Sequence, residues 1–217
     1  MDAWLLGTNP GLDEAYCRSI LSPDEWEKAQ RFHFERDRLL SMNARAALRW
    51  LLGRRLGVEP AGLRFDYEKS GRPVLAGGAN SGSISFSVSH AGDRVAIAIA
   101  AFPVGVDIEC NDRSVDFKSL IDFIPQIEAK QIGFLPGQDQ RRAFLRSWTR
   151  KEARLKATGE GLGGMHTDDP ADWLHFDISH DGYLGTVATV RECIGCRVHL
   201  SLSDVGAELI GRSLSDI

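Results

Sequence analysis

The chain has 217 residues, 43% apolar and 26% charged, a composition typical of a globular protein with one large or two small domains. Its 26 basic and 30 acidic residues give a net charge of −4, which argues against nucleic-acid binding, because nucleic-acid-binding proteins present a basic surface. The longest uncharged apolar stretch, residues 95–106, is too short to span a bilayer, and the first residues lack the features of a signal peptide, so we expect a cytoplasmic protein without membrane contacts.

The first half of the chain is predicted to form helices and then strands. Residues 22–25, Ser-Pro-Asp-Glu, resemble a helix start with serine as the N-cap and proline at the first position. A long helix is predicted over residues 37–56, where leucine and alanine recur at helical spacing before Gly57. Strands are predicted at residues 84–88, 95–101 and 104–109.

The second half repeats this order. Residues 138–158 have helical spacing of apolar residues and are followed by Gly159. Strands are predicted near residues 186–191 and 196–202. The pair Cys193 and Cys196 has no second cysteine pair at zinc-ligand spacing, and we interpret it as two reduced thiols near a turn.

An internal repeat links the two halves. Residues 86–92 and 176–182 share Phe, Ser, His and Gly at the same spacing, and an apolar strand follows each copy. Upstream, Arg-Ala-x-Leu-Arg occurs at residues 45–49 and again at 142–146. We therefore predict an α/β (α+β) fold of two similar, pseudo-twofold-related halves, each a small mixed sheet with a long helix. The predicted halves are residues 1–109 and 110–217.

Two carboxylates follow each other on the last strand of the first half. Asp107 and Glu109 would lie on one face of this strand, roughly 6.6 Å apart along it, and Gly105 leaves room on that face. A bound divalent cation would remove their mutual repulsion, and Mg²⁺ favours a few carboxylates together with water and substrate phosphates. The alternative is the solvated face of an edge strand, because charged residues are mostly exposed.

The second long helix carries a further candidate group. Trp148, Glu152 and Lys156 recur once per turn on one helix face. The tryptophan indicates that this face is partly covered, and a carboxylate and an ammonium group there would suit a metal-bound diphosphate. The alternative is an exposed ion pair with a spacing of four residues, which contributes only a few tenths of a kcal/mol.

Several basic and polar residues of the first half are candidates for phosphate binding. Ser89 and His90 end a predicted strand, although a lone histidine is more often structural, and the repeat contains a second Ser-His pair. Arg72 lies in a Gly-Arg-Pro turn, and the planar guanidinium group can bind two phosphate oxygens at once. Lys28 and Arg45 are further basic candidates. Each of these residues could equally be an ordinary surface charge.

Two motifs in series resemble those of a known family. Gly-Val-Asp-Ile-Glu at residues 105–109, followed after roughly forty residues by Trp-x-x-Lys-Glu-Ala-x-x-Lys-Ala-x-Gly at 148–159, resembles the paired signatures of the 4′-phosphopantetheinyl transferases. Their order and the upstream Ser-His pair are similar to the surfactin-synthetase-activating (Sfp-type) branch. That branch is a monomer of two similar α/β halves, in agreement with the internal repeat. The resemblance covers about residues 22–163.

The resemblance implies an activity and its partners. Such an enzyme moves the phosphopantetheine arm of coenzyme A onto a serine hydroxyl of an apo carrier protein, with Mg²⁺ as cofactor, and releases 3′,5′-ADP. The carrier would belong to a fatty-acid, polyketide or peptide synthase. The alternatives are another Mg²⁺-dependent phosphotransferase or phosphodiesterase, and a non-catalytic relative that only binds carrier proteins.

The resemblance also implies roles for individual residues. The carboxylates that would hold Mg²⁺ are Asp107, Glu109 and Glu152. The residues that would contact or lie beside the phosphate groups are Lys28, Arg45, Arg72, Ser89, His90 and Lys156. Among these, Lys28 and Arg45 would lie near the 3′-phosphate. The general base would be Glu128 or Glu152, acting directly or through water.

An apolar segment between the two motifs is a candidate surface for the carrier protein. Residues 117–125 contain five large apolar residues, more than one face of so short a segment can bury. An exposed apolar residue there would be a docking point for a carrier-protein helix, and Lys118 and Arg113 would attract the acidic carrier. The alternative is an ordinary core helix of the second half.

Overall fold

The computed structural model describes residues 1–7, 14–77, 84–111, 117–161, 172–190 and 197–202. The helices in these ranges are α1 (Glu14–Ile20), α2 (Pro23–Gln30), α3 (Glu35–Leu56), α4 (Gln126–Gly133) and α5 (Gly137–Thr158), with 3₁₀ turns at Pro60–Gly62 and Phe117–Phe123. The strands are β1 (Asp2–Gly7), β2 (Phe65–Tyr67), β3 (Pro73–Leu75), β4 (Ser85–Ala91), β5 (Arg94–Ala100), β6 (Val104–Cys110), β7 (Trp173–Asp177), β8 (Tyr183–Val190) and β9 (His199–Leu202).

The predicted helices are confirmed. They could be predicted because the capping residues that mark their ends act on neighbouring residues. Ser22 caps α2: its side chain accepts from the Glu25 amide, and the Glu25 side chain accepts from the Ser22 amide. The long helices α3 and α5 both end at a glycine in the left-handed conformation, Gly57 and Gly159.

Two sheets form the centre of the molecule. The first has the strand order β4-β5-β1-β9, in which only the β1–β9 pair is parallel, and the second is the antiparallel sheet β6-β8-β7. One face of the first sheet packs on α3, and its other face, rich in alanine, packs on the second sheet. Helix α5 contacts β6 and β8 of the second sheet. The predicted α/β class, with a long helix on each of two small sheets, is confirmed.

The strands of the two sheets do not follow the order of the chain. β6 pairs with β8 although all but its last residue belong to the predicted first half, and β9 returns from the C-terminal part to pair with β1. Each sheet therefore contains strands from both parts of the chain. The division into residues 1–109 and 110–217 remains a prediction.

Serine side chains join the two sheets along β4. The amides of Val104, Val106 and Ile108 on β6 donate to the hydroxyls of Ser85, Ser87 and Ser89, at 3.3, 3.1 and 3.4 Å. The serines alternate with apolar residues of β4 that face α3, so one strand has two different interfaces. This row of hydroxyls fixes β6 beside β4.

The apolar segment at residues 117–125 is more covered than the sequence suggested. Phe117, Leu120 and Ile121 pack on the cluster around Phe144, and the large apolar side chains of this segment are all buried or half-buried. The expectation of an exposed apolar residue there is wrong, because the 3₁₀ conformation distributes side chains over α5 and α4. Arg113 and the Cys193–Cys196 pair lie outside the described residues. Within the described ranges, no helix is long and apolar enough to cross a membrane.

Candidate active site

The centre of the site is the crossing of β6 and α5. A side chain at Gly105 would place its Cβ 1.8 Å from the carbonyl oxygen of Ala153 and 2.7 Å from the amide nitrogen of Ala157. The strand and the helix backbone are therefore in direct contact at this glycine. This close approach brings Asp107, two residues further along β6, within reach of the last turns of α5.

Asp107, Ser89 and Lys156 form a compact polar group. Lys156 Nζ donates to Asp107 Oδ1 at 2.7 Å and to Ser89 Oγ at 2.8 Å, and the Ser89 hydroxyl donates to the same Asp107 oxygen at 2.8 Å. Asp107 and Ser89 are buried, whereas Lys156 is partly exposed. Three residues that the sequence placed on two strands and a helix thus meet in one site.

A second carboxylate lies near this group. Burial raises the pKa of the Glu152 carboxyl, and the negative charge of Asp107 raises it further. Burial likewise raises the pKa of Asp107, against the lowering effect of the Lys156 charge and hydrogen bond. Two carboxylates are therefore held close together in a buried place, where the charged form of each is unfavourable. Such arrangements are common in functional sites.

The donor set suits a hard cation, although the described side chains contain no ready cluster of three His, Cys, Asp or Glu residues that could hold a metal ion. Asp107 Oδ2 is buried and has no hydrogen-bond partner. Glu152 is near enough to feel the charge of Asp107, and Glu109 follows on the same strand face. An unpartnered carboxylate oxygen beside further carboxylates fits Mg²⁺, which prefers oxygen ligands.

Two cavities meet beside these residues. The first, the central cavity, has a volume of about 500 Å³ and is lined by Arg72, His90, Glu152 and Lys156, among others. The second, the α3 cavity, has about 630 Å³ and is lined by Lys28, Arg45 and His90. His90 belongs to both linings, so the two cavities are adjacent. The structure thus brings together the predicted basic residues of the first half.

Arg72 reaches the central cavity with part of its guanidinium group engaged. Its Nη1 donates to the carbonyl oxygens of Lys156 and Ala157, at 3.0 and 2.8 Å, and its Nε lies 3.5 Å from Glu68. A cation at the C-terminus of α5 also compensates the partial negative charge of the helix end. Arg72 therefore ties the turn before β3 to the helix that carries Lys156.

The α3 cavity contains an ion-pair network that the sequence did not reveal. Glu25 accepts from Arg45 Nε at 2.9 Å and from Arg49 Nε at 2.6 Å. Arg49 is almost fully buried and also donates to the carbonyl oxygens of Pro60 and Leu63. The sequence indicated only the capping role of Glu25, because its two arginine partners lie 20 and 24 residues further along the chain. Lys28, in contrast, is exposed at the rim.

Glu128 and the second Ser-His pair lie apart from this group. The Glu128 carboxylate accepts a hydrogen bond from Arg150, and Glu128 does not line either cavity in the described part of the chain. His180 lies in the turn between β7 and β8, where its backbone pairs with Tyr183, and it is likewise outside both linings. Among the two histidines of the repeat, His90 is the one at the cavities.

Comparison with known proteins agrees with the site. A family model described as "4′-phosphopantetheinyl transferase, N-terminal" matches residues 11–102, and one described as "4′-phosphopantetheinyl transferase superfamily" matches residues 103–196. The 4′-phosphopantetheinyl transferase HetI of Nostoc sp. is 37% identical over 150 residues, 68% of this chain and 63% of that protein. A phosphopantetheinyl transferase of Thraustochytrium sp. is 31% identical over 180 residues, 75% of this chain and 62% of that protein.

The likeness extends to a third relative. The 4′-phosphopantetheinyl transferase Sfp of Bacillus subtilis is 25% identical over 159 residues, which are 73% of this chain and 69% of that protein. The chain spans less than two thirds of the length of the first two relatives. Because the two family models together match residues 11–196, the chain belongs to the 4′-phosphopantetheinyl transferase superfamily, in its Sfp-type branch.

Proposed function

We propose that this chain transfers the 4′-phosphopantetheine group of coenzyme A to a serine of an apo carrier protein and releases 3′,5′-ADP. The observation that carries the proposal is the meeting of Asp107, Glu152 and Lys156 beside two adjacent cavities. The family supports the reaction type. Carrier proteins of fatty-acid, polyketide or peptide synthases are the proposed acceptors, and the proposed active form is a monomer.

The two cavities are the proposed binding site of coenzyme A. The α3 cavity would take the nucleotide, with Lys28 and Arg45 near the 3′-phosphate. The diphosphate would lie at the central cavity, where Lys156 supplies positive charge and His90 a hydrogen bond. Ser89 holds Lys156 in place, and Arg72 adds a further positive charge. Arg72 also anchors the end of α5, which gives it a supporting function as well.

The cofactor proposed for the reaction is Mg²⁺, held by Asp107, Glu109 and Glu152. The unpartnered Oδ2 of Asp107 and the raised pKa of Glu152 support this assignment. A bound cation would give the oxygen a partner and would stabilise the negative charge of both carboxylates. When bound, Mg²⁺ would neutralise charge on the diphosphate. Lys156 contributes to the same neutralisation from α5.

The transfer needs a base for the serine hydroxyl of the carrier. We assign this role to Glu152, directly or through water, because Glu152 lines the central cavity and Glu128 does not. Glu128, the other candidate, is paired with Arg150. The serine oxygen would attack the phosphorus that bears pantetheine, the bond to the bridging oxygen of 3′,5′-ADP would break, and the serine proton would pass to Glu152.

The proposed contact for the carrier protein lies on α4 and just beyond it. Ile127 and Phe134 are 69% and 91% exposed, and Leu135 beside them is 38% exposed. Such exposure of large apolar side chains is typical of interaction sites. Lys130 is exposed on the same helix and would attract an acidic carrier helix. This surface replaces the segment at residues 117–125, which lacks an exposed apolar side chain.

Release of 3′,5′-ADP tests the proposal against its alternatives. The chain would be incubated with coenzyme A and Mg²⁺, with and without an apo carrier protein, and the nucleotide product measured by chromatography. We expect release only when the carrier is present. Release without carrier would indicate a phosphodiesterase or another phosphotransferase, and binding of coenzyme A without release in either sample would indicate a non-catalytic relative.

A further inference from the structure

The turns of the two repeat copies touch each other. In the aligned motifs, Asp93 and Tyr183 hold the same position, four residues after Ser89 and Ser179. The Tyr183 hydroxyl donates to Asp93 Oδ1 at 2.6 Å, and the Asp93 amide donates to the Tyr183 oxygen at 3.3 Å. One side chain of the second sheet therefore satisfies two groups of a turn that belongs to the first.

The turn is built to accept this tyrosine. Gly92 has a φ of 57°, and a Cβ there would lie 2.5 Å from the Tyr183 hydroxyl oxygen. Glycine thus serves both the left-handed backbone and the close approach of the ring. The hydrogen bond from Tyr183 lowers the pKa of Asp93, and burial, together with that bond, raises the pKa of Tyr183 to about 12. The pair is therefore a phenol and a carboxylate throughout the neutral pH range.

A second contact closes the same junction. Arg94, the residue after the turn, lies 3.5 Å from the carboxylate of Asp181 in the opposite turn. Asp181 is the one non-glycine residue with positive φ in the described part of the chain, at 53°. The Arg94–Asp181 ion pair is exposed to solvent and therefore contributes little, so the two hydrogen bonds of Tyr183 are the more specific link.

The turn held by Tyr183 is part of the wall of the α3 cavity. His90, Ala91 and Gly92 all line that cavity, and His90 also lines the central cavity. On the other side, Tyr183 pairs with Cys110 in the β6–β8 register, one residue from Glu109. A single tyrosine thus connects the histidine at the cavities with the strand that carries Asp107 and Glu109.

We propose that Tyr183 is a positioning residue for coenzyme A: its hydroxyl holds the Gly92–Asp93 turn against β8 and thereby sets His90 relative to the carboxylates of β6. This inference rests on the proposed function only for the identity of the ligand. It assigns to Tyr183 no contact with the substrate. The loss of its hydroxyl should therefore weaken binding through His90 without removing the chemical groups of the reaction.

The test compares Tyr183→Phe with Thr189→Val. The Thr189 hydroxyl donates to the carbonyl oxygen of Pro103 at 2.8 Å, and Thr189 lines neither the central cavity nor the α3 cavity, so its variant loses a side-chain hydrogen bond of β8 away from the site. By calorimetry we expect the Kd for coenzyme A to rise about fivefold in Tyr183→Phe, as the loss of its hydroxyl hydrogen bonds allows, and to stay unchanged in Thr189→Val. The KM for coenzyme A should rise while kcat changes less than about twofold.

Hydrogen exchange provides a readout that does not depend on the ligand. In Tyr183→Phe the amides of residues 90–94 should exchange faster than in the wild type, and in Thr189→Val they should not. Equal Kd values for Tyr183→Phe and the wild type would overturn the inference. If the wild type itself binds no coenzyme A, the proposed function fails and the role of Tyr183 for that ligand fails with it. The exchange rates then test only the structural step: unchanged exchange in Tyr183→Phe overturns the statement that Tyr183 holds the Gly92–Asp93 turn, and faster exchange supports it.

Discussion

Asp107 connects the polar residues of the site through one of its carboxylate oxygens, while its other oxygen has no partner. Its Oδ1 accepts hydrogen bonds from Lys156 and Ser89, whereas its buried Oδ2 has no partner. A buried polar atom without a partner costs roughly 1–3 kcal/mol, so this arrangement is not the one that stability alone would select. The unpaired Oδ2 of Asp107 is explained if this oxygen binds a cation when the substrate is present.

Glu152 should destabilise the ligand-free protein in a pH-dependent way. Because the pKa of Glu152 is raised above its ordinary 4.5, its contribution to stability is fully present below pH 4.5 and is lost as the pH rises through the folded-state pKa. We therefore expect Glu152→Gln to have nearly the wild-type Tm at pH 4 and a higher Tm at pH 8, by about 2–4 °C for each kcal/mol relieved. Calorimetry at the two pH values measures this, and an equal difference at both would contradict it.

The two histidines of the repeat should respond differently to substitution. His90 lines both cavities, whereas His180 lies in a turn and is held there by backbone hydrogen bonds with Tyr183. We expect His90→Ala to raise the Kd for coenzyme A about tenfold, the loss of roughly 1.4 kcal/mol of contact, and His180→Ala to leave it unchanged. Titration calorimetry on both variants decides, and equal losses of affinity would mean that the repeat copies share one function.

At the scale of elements, the contact between β6 and α5 depends on one glycine. We expect Gly105→Ala to lower the free energy of unfolding by about 3 kcal/mol or more, because the added Cβ would meet backbone atoms of α5 that cannot rotate away. Denaturant unfolding would measure the change. Gly62→Ala is the matched control, since a Cβ at Gly62 meets no atom within 4 Å. A loss at Gly105 no larger than at Gly62 would contradict the close contact.

Substitutions in the exposed apolar surface at α4 should affect the KM for the carrier protein alone. Phe134→Asp should raise the KM for the carrier about fivefold, the effect of losing roughly 1 kcal/mol of contact energy, and leave the KM for coenzyme A unchanged. Val58→Asp is the control, because Val58 is also exposed but lies at the end of α3. If both variants behave alike, or if the KM values for both substrates rise together in Phe134→Asp, α4 is not the docking surface.

Elements differ in how far the sequence predicts them. The helices α2, α3 and α5 could be placed because their caps, Ser22, Gly57 and Gly159, act on neighbouring residues. The partners of β6 and β9 could not, because strand pairing is decided by contacts between distant residues. The alternating serines of β4 were a readable signal, since serine at every second position predicts a polar strand face that needs partners.

The candidate site was predictable to a similar degree. The two motifs identified Asp107, Glu152 and Lys156, and the structure brings these three together. The pairing of Arg45 with Glu25 and of Glu128 with Arg150 was not visible, because nothing in the sequence reports which opposite charges become neighbours. Both pairings reduce the charge that Arg45 and Glu128 present to a ligand.

At the scale of the whole molecule, the exchange of strands between the two sheets explains the position of the site. β6 belongs to the second sheet but is fixed to β4 of the first by the serine hydroxyls, and α5 crosses it on the other side. Lys156, His90 and Asp107 therefore come from three different elements and are held by contacts between layers. A cavity at such a junction would give the two proposed substrates, coenzyme A and a carrier protein, separate approaches.

Intact-mass spectrometry of a panel of apo carrier proteins, incubated with the chain, coenzyme A and Mg²⁺, tests the central claim most directly. We predict that at least one carrier gains the mass of a single phosphopantetheine group on its serine. Asp107→Asn, with its fold checked by circular dichroism, should modify the same carrier more than tenfold more slowly, a barrier increase above about 1.4 kcal/mol. An unmodified panel, or an Asp107→Asn variant as fast as the wild type, would contradict the account.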